Sequence, residues 1–271
     1  MILIFPAIGI IFSAVTIWLR GITGTDIIFD GIFYAFDYML LAVLFYVAFL
    51  LVLAFKVNIA KPNEKFDRFY NKVIIYTLKI ALEACNVKVT VKGEEKIPSG
   101  RFVLVQNHRA MFDPMVSLAF LGKYEIGFIT KPENMNLPII NKYMHRICCI
   151  PIDRENPRNA VKSINAACEN VKNDICSMAI YPEGTRARDG EMLPLHAGSF
   201  KIATKSGAPL VITTVSNTNR VHKNAPFKRT HITLDICEVV PAEEVAASST
   251  AELAEKARKA MCASLGVPEE E

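Results

Sequence analysis

The stretch "RFVLVQNHRAMFDPMVSLAFLGK" (residues 101–123) decides how this chain is read. Arg101 to Asn107 is a short apolar, β-branched run, the pattern of a buried strand. "DPMVSLAFLGK" then opens with Asp113 at an N-cap position and Pro114 at the first helical position, where a missing N–H is no loss. The expected order is strand, loop holding His108, helix starting at Asp113. His108 and Asp113 are five residues apart, which on one continuous helix would turn their side chains about 140° from each other. Across a strand–loop–helix corner they can meet. The plainer alternative makes Asp113 only a cap and His108 only a loop residue. None of the other four histidines (His145, His196, His222, His231) is followed by a carboxylate at this spacing.

Outward from this corner the same alternation repeats. "VKVTVKG" (87–93) has period two and predicts a strand, as do "EIGFIT" (125–130) and "RICCIPIDR" (146–154). "NPRNAVKSINAACENVKN" (156–173) predicts a helix, and "CSMAIYPEGTRARDG" (176–190) a strand running into a glycine-containing loop. "SFKIATKSG" predicts a short helix closed by Gly207, "APLVITTVSN" a buried strand, and "THITLDICEVV" a strand with one exposed face. "STAELAEKARKAMCASLG" predicts a final helix, with Ser249 and Glu252 as a capping box and Gly266 as the stop. Alternating strands and helices imply an α/β domain with a mostly parallel central sheet flanked by helices. In such sheets the ligand crevice lies at the C-terminal ends of the strands. His108, Arg154 and Glu183 all fall just past predicted strand ends.

Toward the N-terminus the composition changes. The chain has 271 residues, 51% apolar, with a mean hydropathy of +0.25. Much of this lies in residues 1–19, which lack charged side chains, and 32–55, where Asp37 is the only charge. At about 1.5 Å per residue the first segment is just long enough, and the second comfortably long enough, to cross a ~30 Å hydrocarbon layer. The first lacks a positive n-region and a small-residue cleavage site, so it reads as a retained segment. A two-helix membrane anchor (1–55) is therefore expected, spanning the bilayer or dipping into one leaflet. An amphipathic connecting helix (56–86) and a catalytic-sized α/β domain (87–271) follow. Asp37, near the end of its segment, reads as interfacial. Beyond residue 55 there are 30 basic against 24 acidic residues, a net charge of +6, which places the large domain on the cytoplasmic side. That bias suits an anionic membrane surface or substrate, and no basic run is dense enough for nucleic acid. Seven cysteines without a CxxC pair fit a reducing compartment, with buried, inert thiols as the expected state, and no metal-ligand spacing occurs.

Four blocks in order, "NHRAMFDP", "IDR", "YPEGTR" and "GAPLVIT", resemble those of the glycerolipid acyltransferase family, the 1-acylglycerol-3-phosphate acyltransferases. The HX4D block is His108 to Asp113, the second ends in Arg154, the third is Glu183-Gly184-Thr185-Arg186, and the fourth runs from Pro209 to Val215. The resemblance covers roughly residues 85–240. It implies an enzyme moving a fatty acyl group from acyl-CoA or acyl-carrier protein to lysophosphatidic acid at the bilayer, giving phosphatidic acid, with no cofactor and no metal. Another lysophospholipid or glycerol phosphate acceptor, a thioesterase and a non-catalytic lipid-binding protein stand as alternatives. Two departures bear on the acceptor: His196 lies near a usual lysine position, and Thr213 or a neighbour replaces a second proline in block four.

Under this resemblance His108 is the general base and Asp113 holds its tautomer, the substrate hydroxyl being the nucleophile. No G-x-S-x-G elbow is present, so direct transfer is expected. Arg154 and Arg186 each offer a bidentate fork for an acceptor phosphate. Glu183 either orients an arginine, contacts an acceptor hydroxyl or pairs with a cation to hold the loop. Gly184 permits close backbone approach, and Thr185 can cap or bind phosphate. Lys131 and Arg188 are weaker cationic candidates, and Asn107 and Arg109 flank the base.

Overall fold

The computed structural model describes residues 1–61, 63–187 and 191–268. The chain divides into two compact units, Met1–Asn58 and Ile59–Glu271.

The first unit is a pair of helices, α1 (Ile4–Arg20) and α2 (Asp26–Phe55), so the second helix begins six residues before the expected 32. Gly9 lets the helices touch: a Cβ there would lie 2.3 Å from the Ala35 carbonyl oxygen. Ser13 Oγ donates to the Gly31 carbonyl at 2.8 Å, and the Thr16 and Tyr38 hydroxyls pair at 2.8 Å. By length and composition α2, with 30 residues, can cross a membrane; α1, with 17, is a shorter apolar helix.

The second unit holds α3 (Arg68–Ala84), β1 (Val87–Lys92), β2 (Val103–Gln106), α4 (Phe112–Leu121), β3 (Ile126–Thr130), α5 (Ile140–Arg146), β4 (Ile150–Pro151), α6 (Pro157–Lys172) and β5 (Ser177–Ile180). These are followed by α7 (Lys201–Ser206), β6 (Leu210–Ser216), α8 (Val221–Asn224), β7 (Thr230–Val240), α9 (Ala242–Ala247) and α10 (Thr250–Leu265). The strands form one sheet in the order β1-β7-β6-β2-β5-β3-β4. β6, β2, β5, β3 and β4 run parallel, while β7 is antiparallel to β6 and carries β1 parallel to itself. The expected α/β fold with a mostly parallel sheet is thus the fold observed.

Both sheet faces are covered, which is why β2 is apolar without interruption. Val103 and Val105 join a core with residues of α6, α7 and α10 on one face; Leu104 joins the other with Leu82 of α3 and Val116 of α4. The final helix begins and ends as read, with the Ser249–Glu252 capping box formed and Gly266 left-handed at φ 64°.

Two local expectations fail. Residues 146–154 are not one strand. Arg146 ends α5, Cys148 is left-handed at φ 57°, and the Cys148 and Cys149 N–H groups donate back to His145 and Met144. Only Ile150 and Pro151 pair with β3, at the sheet edge where a proline without an N–H is tolerated. The second concerns Asp113, which is not the N-cap of α4. Met111 occupies that position, and Asp113 and Pro114 are the second and third helical residues.

Candidate active site

The site is built where β2 ends beside β6 and β5. Asn107, 2% exposed, continues the ladder with its side chain: Nδ2 donates to the Val215 carbonyl (3.1 Å), and Oδ1 accepts from the Val215 N–H (2.7 Å). The backbone after it is thereby freed to leave the sheet. The loop after β5 then grips His108 on both sides. The His108 N–H donates to Glu183 Oε1 (2.5 Å), and its carbonyl accepts from the Ala187 N–H (2.9 Å).

The ring is fixed by Asp113. His108 Nδ1 and Asp113 Oδ2 are 2.8 Å apart. Asp113 is fully buried, which for a carboxylate requires dense hydrogen bonding. Oδ2 also accepts from the Arg109 (2.6 Å) and Ala110 (2.8 Å) N–H groups, and Oδ1 accepts from Thr218 Oγ1 (2.5 Å). Because Asp113 lies within the first turn of α4, its carboxylate turns back over the loop instead of capping the helix. The His108 side chain stays 18% exposed, and with Nδ1 engaged its Nε2 is the nitrogen available to an external partner.

Tyr181 stacks on the imidazole with ring centroids 4.4 Å apart at 25°, and Phe128 stacks behind Tyr181 at 6.1 Å. Burial, reinforced by the Asp113 charge, pushes the Tyr181 phenol well above its ordinary pKa. Among the described residues its hydroxyl has no hydrogen-bond partner of good geometry, and nearby Ser117 gives its own proton to Gln106 Oε1 (2.6 Å). Tyr181 therefore serves as an apolar wall for the imidazole.

Glu183 is held by backbone donors from two loops. It is 3% exposed, and both oxygens accept backbone N–H groups, from His108 and from Leu193 (3.2 Å). It forms no ion pair with an arginine among the described residues. Burial raises its pKa, with the two backbone donors opposing the shift. Its position is that of a brace under the base. Gly184, at φ +74°, completes the turn by donating to the Tyr181 carbonyl (3.1 Å). A Cβ there would lie 2.9 Å from His196 Nε2 and 3.4 Å from Arg154 Nη1.

Arg154 and His196 converge on Gly184, and desolvation lowers the Arg154 guanidinium from its ordinary pKa. Thr185 and Arg186 follow on the exposed side of the loop, and Lys131 is exposed just past β3. The side chains of Arg154, Arg186 and Lys131 make no ion pair with other described residues, so they are available to an anion. Arg188 lies outside the described residues. Thr213 is buried in β6, where its hydroxyl satisfies the Val105 carbonyl (3.1 Å) beside a register shift; it does not line the site. All seven cysteines are free and five are buried; burial pushes the Cys149 thiol up to about 12, while hydrogen bonds from Cys176 and Asn63 hold the neighbouring Cys148 thiol below its ordinary value.

Two contributors were not legible in the sequence. Thr218 lies 105 positions from Asp113 and has no motif around it. Tyr181 opens the quoted third block, but only the fold brings its ring onto His108.

Residues 88–216 match the family model described as Acyltransferase. The chloroplastic 1-acyl-sn-glycerol-3-phosphate acyltransferase BAT2 of Brassica napus is 33% identical over 136 residues, 49% of this chain and 39% of its own length. A 1-acyl-sn-glycerol-3-phosphate acyltransferase of Saccharomyces cerevisiae is 28% identical over 180 residues, 64% of this chain and 58% of its own length. The crystal structure of the 1-acyl-sn-glycerophosphate (LPA) acyltransferase PlsC from Thermotoga maritima aligns with a TM-score of 0.65 at 27% identity, covering 82% of this chain and 88% of that one. The chain thus spans well under two thirds of the length of these two curated relatives.

Proposed function

We propose, from the match of residues 88–216 to the Acyltransferase family model, that this protein transfers a fatty acyl group from a thioester to the sn-2 hydroxyl of lysophosphatidic acid, giving phosphatidic acid. The donor is acyl-CoA or acyl-carrier protein, and no cofactor takes part. The observation that carries the reading is the 2.8 Å His108–Asp113 contact, held in a braced loop beside arginines that form no ion pair among the described residues.

His108 Nε2 takes the proton of the acceptor hydroxyl as its oxygen attacks the thioester carbonyl. Asp113 holds Nδ1 and stabilises the imidazolium as it forms. Collapse of the tetrahedral intermediate breaks the C–S bond, forms the ester and returns the proton to the departing thiolate. Arg154 and Arg186, with Lys131 more peripheral, hold the acceptor phosphate; Gly184 and Thr185 let that phosphate approach the loop backbone. Glu183 positions the base from beneath. The apolar helices keep the enzyme at the cell membrane, where acceptor and product reside, with the α/β unit on the cytoplasmic side given the net charge of +6 over residues 56–271.

The test is a lipid assay. Reconstituted protein is given labelled acyl-CoA or acyl-carrier protein with lysophosphatidic acid, with lysophosphatidylcholine, or with no acceptor. Label in phosphatidic acid that is lost with His108→Ala, by on the order of 10³-fold or more, is the expected result. Free fatty acid regardless of acceptor indicates a thioesterase, and label in the choline lipid reassigns the acceptor.

A further inference from the structure

We propose that the connection between β6 and β7, residues 217–229, is an anionic-membrane contact separate from the N-terminal helices. Its sequence, "NTNRVHKNAPFKR", carries Arg220, Lys223, Lys228 and Arg229 and no acidic residue. None of these four cations forms an ion pair among the described residues. At its tip Phe227 is 95% exposed.

That exposure is not a product of local disorder. Thr218 and Val221 are fully buried and root the loop. The Ala225 N–H donates to the Val221 carbonyl (2.8 Å), the Lys228 N–H to the Asn224 carbonyl (2.7 Å), and Asn224 Nδ2 to Thr230 Oγ1 (2.9 Å). An ordered turn thus holds a bare phenyl ring in water between cations. An aromatic ring with flanking Lys and Arg suits the lipid interface: the ring enters the headgroup–acyl boundary, and the cations meet lipid phosphates. A protein partner would have to supply a pocket for one projecting ring, whereas a bilayer accepts it without one.

The place of the loop in the sheet agrees. β6 is parallel to β2 and β3, so the loop leaves the same sheet edge as the connections carrying Met111 (60% exposed) and Ile139 (40% exposed). That edge also carries His108. The loop roots through Thr218 on Asp113, so the lipid contact is one short segment from the proposed base. The contact itself does not depend on which reaction is catalysed.

Trp18 is the only tryptophan, so a Trp18→Phe, Phe227→Trp double variant reports from the loop alone. The full-length variant is placed in vesicles of phosphatidylcholine, or of phosphatidylcholine with phosphatidylglycerol, each with and without acyl-chain-brominated phosphatidylcholine. The expected result is blue-shifted emission, quenched by bromine, in the anionic vesicles, both effects being lost when Lys223→Glu and Lys228→Glu are added. Water-exposed, unquenched emission in both vesicle types overturns the proposal. Equal quenching in neutral vesicles rejects the anionic lipid as occupant. A blue shift produced only by added acidic acyl-carrier protein overturns it in favour of a protein contact.

Discussion

Thr218 Oγ1 donates to Asp113 Oδ1 while His108 Nδ1 meets Oδ2, so the carboxylate that orients the base is itself held from its far side. Thr218→Val removes that donor at nearly constant volume and leaves Oδ1 buried without a partner, at a cost of about 1–3 kcal/mol. If the loss falls on Asp113, kcat drops by about 10- to 100-fold with little change in either KM. Thr218→Ser, which keeps the donor, restores most of the rate. Steady-state kinetics with a pH profile tests this: equal losses for Val and Ser would trace the effect to packing.

Glu183 ties pH to the shape of the loop. Burial raises its folded-state pKa above the unfolded value. With that sign, its contribution to stability is greatest below the unfolded pKa and is lost as pH rises through the folded value. Glu183→Gln removes the titration, so the stability difference between wild type and variant should move against wild type as pH rises from about 4.5 upward. Thermal melts of both proteins across that range measure it; parallel curves would mean that Glu183 does not titrate there. Activity of the variant should fall, because an amide offers one acceptor where His108 and Leu193 present two donors.

Arg154→Ala and Arg186→Ala should each raise the KM for the acceptor more than that for the donor. A lost charge-assisted contact of about 1.5–3 kcal/mol corresponds to roughly 10- to 150-fold in kcat/KM. The same variants assayed with both substrates varied give the answer. Equal effects on the two KM values would count against a phosphate clamp.

Gly184→Ala places a methyl group 2.9 Å from His196 Nε2 on a backbone at φ +74°. The strain is of order 1 kcal/mol or more, and His196 must move aside. A lowered melting temperature together with a raised acceptor KM is expected. A Gly184→Ala, His196→Ala double variant should recover part of the KM defect, because the clash is removed while the φ strain persists.

What a local sequence pattern encodes follows from the range of the interactions. β7 and α10 are legible to within a residue, because period-two alternation, a capping box and a C-terminal glycine are local signals. The 146–154 segment was misread because its apolar run reflects burial in a turn, and the left-handed Cys148 has no sequence signature. The Asp113 cap was misplaced by two residues, since Met111 at the N-cap carries no capping side chain.

By itself the sequence determined that apolar helices precede an α/β unit, and that His108 and Asp113 can meet at a strand end, because hydrophobic period, capping and a five-residue corner are properties of neighbouring residues. Only the tertiary structure decided that Thr218 holds Asp113, that Tyr181 walls the imidazole, and that Glu183 braces the His108 backbone. Those contacts join residues 73 to 105 positions apart. A hydrogen bond or ring stack over that distance depends on strand order and loop course, which no local pattern encodes.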